Sequence, residues 1–372
     1  MTNDPHVDGS ATVYRQYDVG YALSLDHAAN VLGNITRGRV RPARVEARAI
    51  QIRNPPLLAE LGSHTVNVGG VSCAATLSAH LFDFGVCSLQ LFVRARADLA
   101  WTQFSEFGAA IQASSDVGAI FDRELGPFLE RIASAIERPG VAPLSEEYIV
   151  FRVDRLVATD SALAAAQLLN DQQLVSLLLG ERRALSPSAR RELMPHRFSY
   201  YDDDLTVLTW DNALVVEPRV EDRDVEYVLE FANAQLLELR VYDFQLDSAL
   251  PALYDRVAAE RARRRPRLSG RFRTVLSELQ TIVADITETA ERVENALKVT
   301  DDVYLARIYA AALELFRQQA WQRGIERKLG ILRETYSMLH SEAQAARAEL
   351  LEVAIVVLIV AELVVGLLYR GR

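Results

Sequence analysis

The sequence predicts an α+β N-terminal domain followed by a long antiparallel helical hairpin, a coiled-coil stalk, and one C-terminal transmembrane helix. Three observations carry that prediction. Between Val13 and Pro218, short runs of period-two alternation, the signature of half-buried strands, are interspersed with stretches of helical periodicity. From Phe272 to Leu339, apolar residues recur at alternating steps of four and three, the stepping of a coiled-coil seam. Residues 350–369 form an apolar run of the roughly 20 residues that a helix needs to cross a hydrocarbon core about 30 Å thick.

Taken in order, residues 1–12 are polar and read as a disordered tail, and residues 13–220 as the soluble α+β domain, with a subdomain boundary expected near 155. Asp26 stands where it can cap a helix reaching Leu32. Strands are expected at Ala47–Ile52, Ala74–Leu81, Gly85–Val93 and Glu147–Val153, and helices at Phe104–Ile111 and Ile120–Ile136, the latter ended by Pro139-Gly140. Residues 161–193 read as helices divided by Gly180 and by Ser186-Pro187. The segment 198–218 places two turn signals between three β-rich runs and predicts a small antiparallel meander. A helix is expected over 221–265.

Arg261, Arg263, Arg264, Arg265 and Arg267 crowd the end of that helix, where Pro266 and Gly270 break it. The run reads either as a solvated hinge or as a contact for anionic lipid headgroups or an RNA backbone, because each clustered arginine gains about 1 kcal/mol near an anionic membrane surface. The coiled-coil hairpin is expected over 271–345. Its first seam is Phe272, Leu276, Leu279, Val283, Ile286, Ala290, Val293 and Leu297. The seam resumes after Lys298–Asp302 at Tyr304, Ile308, Ala311, Leu315, Gln318, Gln322, Ile325, Leu329, Leu332, Tyr336 and Leu339. Gln318 and Gln322 would cost stability there while fixing register or strand number. With no proline from Asp301 to Arg372, the second helix is expected to run unbroken into the membrane.

Within the apolar run, Glu362 lies deep in the expected span, where a charge costs at least about 2.5 kcal/mol, so it should be protonated, paired or turned to a protein interior. Glu352, Ile355, Ile359, Glu362 and Gly366 follow helical steps of three and four and make one stripe, suited to packing on the same stripe of a second subunit. A tolerated glutamate and an ion pathway are the alternatives. The N-terminus lacks a basic region followed by an apolar stretch, so the bulk is expected in the cytoplasm, on the inner membrane of a bacterial cell, with a single C-terminal pass.

The formal net charge of −9 argues against generic nucleic-acid binding, which needs a basic face. Cys73 and Cys87 are too few for a disulfide framework and belong to no C-x-x-C pair. No Gly-rich phosphate loop, G-x-S-x-G elbow or H-E-x-x-H motif is present, and the six histidines have no ligand spacing. Asp202-Asp203-Asp204 reads as a solvated turn, with divalent-cation binding the alternative. No catalytic, cofactor-binding or metal-binding residue is therefore expected.

The stretch Glu349–Leu363, with Glu352 and Glu362 ten residues apart around an aliphatic run, resembles the C-terminal signature of the required-for-meiotic-nuclear-division family. Leu329–His340 is similar to that family's pre-membrane helix, and Leu81–Val86 to its short F-D-[FY]-G-V strand. Val353 stands where the family has a tryptophan, and its A-Q-S-[VL]-K-L segment is missing. The resemblance implies a membrane-anchored homo-oligomeric scaffold without known catalysis, with a ribosome or other protein as client, possible support of translation among its roles. Two other classes fit the layout: an ion-transport component of CorA-like architecture, which would need a second membrane helix and a G-M-N motif, and a membrane-tethered enzyme or sensor with a site built from scattered residues.

Overall fold

A computed structural model describes residues 4–39, 50–52, 54–158, 161–162, 165–261, 297–299 and 303–370, together with 277, 280–281, 283–284 and 286–288. Strands in chain order are β1 (His6–Asp18), β2 (Gly20–Leu23), β3 (Thr36–Arg39), β4 (Ile50–Ile52), β5 (Leu57–Val68), β6 (Val71–Leu81), β7 (Val86–Arg94), β8 (Leu99–Ala100), β9 (Ile136–Pro139), β10 (Ser145–Ala158), β11 (Ser161–Ala162), β12 (His196–Phe198), β13 (Leu205–Leu208), β14 (Asn212–Val216) and β15 (Leu297–Val299). The helices are α1 (Leu25–Leu32), α2 (Trp101–Gln112), α3 (Ser115–Ile132), α4 (Gln172–Leu179), α5 (Pro187–Leu193), α6 (Asp224–Arg261), α7 (Val303–Leu315) and α8 (Gln318–Arg370). The chain divides into two compact units, Met1–Val241 with Ala290–Gln319, and Tyr242–Thr289 with Ala320–Arg372.

The first unit is built on one sheet in the order β12-β13-β14-β10-β1-β7-β6-β5-β3, with β11 added to β10 and β8 to β1. All pairings are antiparallel except β10 with β14, which run parallel over Ile149–Val153 and Asn212–Val216. Period two gives each strand two faces. One face carries Ala11, Val13, Leu77, Ala79, Leu89, Leu91, Phe151 and Val153 and packs with residues of α1 to α4 into the main apolar core. The other face carries Gln16, His80, Ser88, Gln90 and Arg152 and lies beneath the first half of α6.

Several expectations need correction here. Residues 6–12 are not a tail: they belong to β1, which is flanked on both sides and buried on both faces. Ser10 and Thr12 look like solvent residues in the sequence, but a helix covers the face they occupy. No boundary falls near 155, because β10 runs through it and joins the meander β12-β13-β14 to the rest of the sheet. Asp26 lies in the first turn of α1, whose cap position is Ser24. Helix α3 stops at Ile132, and Ile136 already begins β9. Of the strand expected over 47–52, Ile50–Ile52 is described, paired with β15.

Phe82-Asp83-Phe84-Gly85 is a turn between β6 and β7 rather than a strand. Gly85 has φ of +100°, and a side chain there would collide with the carbonyl of Gly20. The Gly85 carbonyl accepts the Val19 N–H at 2.9 Å, so the tight turn is tied to the end of β1.

The second stalk helix is also not continuous. Helix α7 belongs to the first unit, where Tyr304, Ile308 and Ala311 are buried. The Tyr304 hydroxyl lies 3.2 Å from Thr206 Oγ1, and Tyr309 donates to Gln235 at 2.5 Å. Between α7 and α8, Arg317 takes a left-handed φ of +54° while Phe316 is buried edge-on against Tyr148 and Trp210. Aromatic packing against the sheet domain, absent from any heptad count, decides this break.

In the second unit, α8 buries Ile325, Leu329, Leu332 and Leu339, the expected seam stepping. Lys328 bridges Asp243 and Asp247 of α6, each at 2.6 Å, and Arg333 donates to Thr287 at 3.2 Å. Of the first expected seam, Val283 and Ile286 are described and Ile286 is buried; Leu297 is not on a helix but begins β15, paired with Ile52, and Phe272, Leu276, Leu279, Ala290 and Val293 lie outside the described residues.

Candidate functional site

Two features stand out for chemistry: a charged layer buried between the sheet and α6, and an exposed apolar stretch of α8. The first is centred on Arg152 of β10, which is 1% exposed. Its Nε donates to Asp154 at 2.6 Å. Its Nη1 donates to Glu226 of α6 and to the Asp222 carbonyl, both at 2.8 Å, and its Nη2 to the carbonyls of Glu217 and Arg219 at 3.1 and 2.9 Å. Burial by itself lowers the guanidinium's affinity for its proton, and the Glu226 and Asp154 carboxylates more than offset this, so its pKa is held above the ordinary arginine value. The side chain thereby fixes the connection from β14 into α6.

One turn further along α6, Glu230 (3% exposed) accepts from Gln90 of β7 at 2.7 Å and contacts His80 Nδ1 of β6 at 2.7 Å. Gln90 also touches His80, and Gln16 of β1 donates to the Glu230 carbonyl at 2.8 Å. Strand register explains the convergence: His80 is opposite Ser88, and Ser88 is opposite Gln16, so a polar row crosses three strands under the helix. Phe231, the next residue, packs edge-on against Phe82 and Phe84 of the β6–β7 turn at 5.6 and 5.7 Å. Burial first, then the charges of Glu230 and Glu226, push the Tyr14 hydroxyl well above its ordinary pKa. Tyr227 is raised by burial and by Glu230. The Cys87 thiol, on the opposite face of β7, is raised by burial, so it is a poor nucleophile.

Ser10 Oγ, Gln16 Oε1, Ser88 Oγ, Glu226 Oε2 and Tyr227 OH are buried in this region without a hydrogen-bond partner among the described residues. Among the described residues, no group of three or more His, Cys, Asp or Glu side chains is placed to hold a metal ion. The arrangement locks a helix onto a sheet through paired charges.

The second feature is the stretch 351–363 of α8. Leu351, Val353, Ile355, Val356, Val357, Leu358, Ile359, Val360 and Leu363 are all more than half exposed, from 52% at Ile359 to 68% at Leu358. Val356 to Val360 are consecutive, so the exposure encircles the helix. Among the described residues no helix is long and apolar enough to cross a membrane. Side chains of the expected span 350–369 are described over 351–363, and those of Leu350 and of 364–369 lie outside the described residues.

Glu352, Ile355, Ile359 and Glu362 are exposed on α8, with the spacing of one helical face. The Gly366 position in the stripe lies outside the described side chains. Arg261 is the last residue of α6. Its side chain, and Arg263, Arg264, Arg265 and Arg267 entirely, lie outside the described residues. The residues that reading the sequence missed are Arg152, Glu226, Glu230, His80 and Gln16. Glu226 and Glu230, four apart, signal one acidic helix face, but their partners are 74 and 150 residues away and follow from strand register alone.

The family model described as "Uncharacterized protein MJ0711, N-terminal domain" matches residues 8–223, from β1 to the start of α6. The uncharacterized protein MJ0711 of Methanocaldococcus jannaschii is 24% identical over 200 residues, covering 53% of this chain. The chain spans 60% of the length of that relative. No solved structure matches.

Proposed function

We propose that this chain, which belongs to the uncharacterised MJ0711 N-terminal-domain family, is a membrane-tethered homo-oligomeric scaffold. It presents its sheet domain on the cytoplasmic side, on the inner membrane of a bacterial cell. The carrying observation is the all-round apolar exposure of α8 over 351–363. Nine aliphatic side chains left in water forgo on the order of 20 kcal/mol of burial, taking about 100 Å² each at about 25 cal/mol per Å². A surface of that size calls for a partner. A helix that is apolar on every side suits a solvent that surrounds it, as lipid does, better than a single groove. The sequence of 350–369, long enough to span, supports the same reading. The stripe Glu352, Ile355, Ile359, Glu362, Gly366 is the proposed contact between subunits, because Glu362 gains from a hydrogen-bonding neighbour within the hydrocarbon. The resemblance to the required-for-meiotic-nuclear-division family adds a client held near the membrane, such as a ribosome.

Fractionation of cells with alkaline-carbonate washing tests the tether. The full chain should stay with the membrane pellet, and replacing Val357 and Leu358 with arginine should release it. Wild-type protein recovered in the washed supernatant would overturn the reading.

A further inference from the structure

We infer that the loop between β12 and β13 is a docking surface for an arginine-bearing segment of a partner protein. Tyr200 and Tyr201 at this loop are 63% and 53% exposed, and Val220 and Val303 beside them in the fold are 53% and 75% exposed. Ring contacts join the patch. Tyr200 stands edge-on to Tyr201 at 4.8 Å and to Tyr304 at 5.9 Å, Val303 precedes Tyr304 in the chain, and Val220 follows Arg219, whose guanidinium lies over Tyr201 at 6.0 Å.

The tyrosines are presented by a fixed loop. Asp204, only 3% exposed, accepts the backbone N–H groups of Tyr200 and Tyr201 at 2.7 and 3.1 Å. Ser199 donates to the Tyr201 carbonyl at 2.7 Å, and the Ala165 N–H to the Asp202 carbonyl at 3.0 Å. Holding exposed aromatic rings in place removes the ordering cost that a binding event would otherwise carry. Tyrosine also supplies contact area at low side-chain entropy.

Charge selects the partner. Arg219 is already neutralised by Glu217 at 3.0 Å and Asp222 at 3.1 Å, so its stacking on Tyr201 is an internal example of the recognition mode and contributes little free positive charge. Asp202 and Asp203 are exposed on the same loop and form no ion pair among the described residues. Aromatic faces beside unneutralised carboxylates favour a planar cation that stacks and donates hydrogen bonds at once, which is arginine rather than lysine. The same carboxylates repel phosphate, which disfavours a nucleic acid or an anionic lipid surface.

Fluorescence anisotropy on the detergent-solubilised full chain tests this with a labelled nona-arginine peptide, a nona-lysine peptide and a single-stranded oligonucleotide as probes. The arginine peptide should bind about tenfold more tightly than the lysine peptide, a preference of about 1.4 kcal/mol. Tyr200→Ala with Tyr201→Ala should abolish that preference. Asp202→Asn with Asp203→Asn alters only exposed carboxylates, so it tests the surface without disturbing packing, and should weaken arginine-peptide binding severalfold. Equal affinity for both peptides would reduce the effect to the chain's overall negative charge and overturn the inference. So would insensitivity to the aspartate variant, or oligonucleotide binding that depends on the tyrosines.

Discussion

At Arg152, one guanidinium closes five hydrogen bonds to two carboxylates and three backbone carbonyls inside the protein. Truncating it would deprive three carbonyls of a donor and leave Glu226 with Arg223 alone, at 3.1 Å, in a low-dielectric layer, so Arg152→Ala should destabilise the fold by about 3–5 kcal/mol. Arg155, two residues on, makes comparable ion pairs with Asp8 and Asp98, but its side chain is 47% exposed, and its removal should cost within about 1 kcal/mol. Denaturant melts of the two variants measure the contrast, and equal losses would contradict it. Asp18 offers a pH test. Burial, opposed only by the Gly20 N–H, pushes its carboxyl up to about 6. A raised folded-state value means that its favourable contribution is complete below about pH 4 and is lost as pH rises through 6. Asp18→Asn keeps an oxygen for Gly20 and never ionises. It should match wild type at pH 4 and be more stable at pH 8 by up to about 3 kcal/mol. Urea melts at the two pH values read this directly; a pH-independent difference would place the effect elsewhere.

Among the elements, strands whose apolar and polar residues alternate regularly were legible. β6 and β7 were expected at Ala74–Leu81 and Gly85–Val93 and lie at Val71–Leu81 and Val86–Arg94. β1 was not legible, because it is flanked by β10 and β7 and covered on both faces, so its polar residues meet Arg152 and Glu230 rather than water. The charged layer was hidden for the same reason: a polar alternation says which face is different and leaves open what covers it. Helical stepping located Ile325, Leu329, Leu332 and Leu339, but the same stepping at Tyr304 and Ile308 reports burial in the sheet domain. A heptad records an apolar face and not its partner. In α8 the stripe carrying Glu362 leads to an assembly prediction. If α8 is the proposed membrane anchor, Glu362→Leu removes the polar group that would gain from a neighbour inside the hydrocarbon, and should shift the detergent-solubilised protein to a smaller species while membrane insertion is kept. Light scattering coupled to gel filtration gives the mass, and an unchanged mass would remove Glu362 from the assembly contact.

Across the whole molecule, the family match ends where α6 begins, so the shared part is the sheet domain, and the uncharacterised family assigns it no activity. α6 and α8 then carry the chain through a second helical unit to a stretch whose described side chains are exposed. In physical terms the two parts are opposites: a sheet domain that buries even its charges, and a helix stretch, 351–363 of α8, whose described aliphatic residues are all exposed. In the proposed membrane-tethered state, lipid surrounds that stretch. The most direct test uses single cysteines at Ala354, Val357 and Val360, introduced with Cys73 replaced by serine, labelled with a polarity-sensitive fluorophore and reconstituted in vesicles. The labels should show blue-shifted emission, resist aqueous iodide and be quenched by bromine-labelled acyl chains. Emission open to iodide and blind to the lipid quencher at all three positions would contradict a membrane-embedded α8.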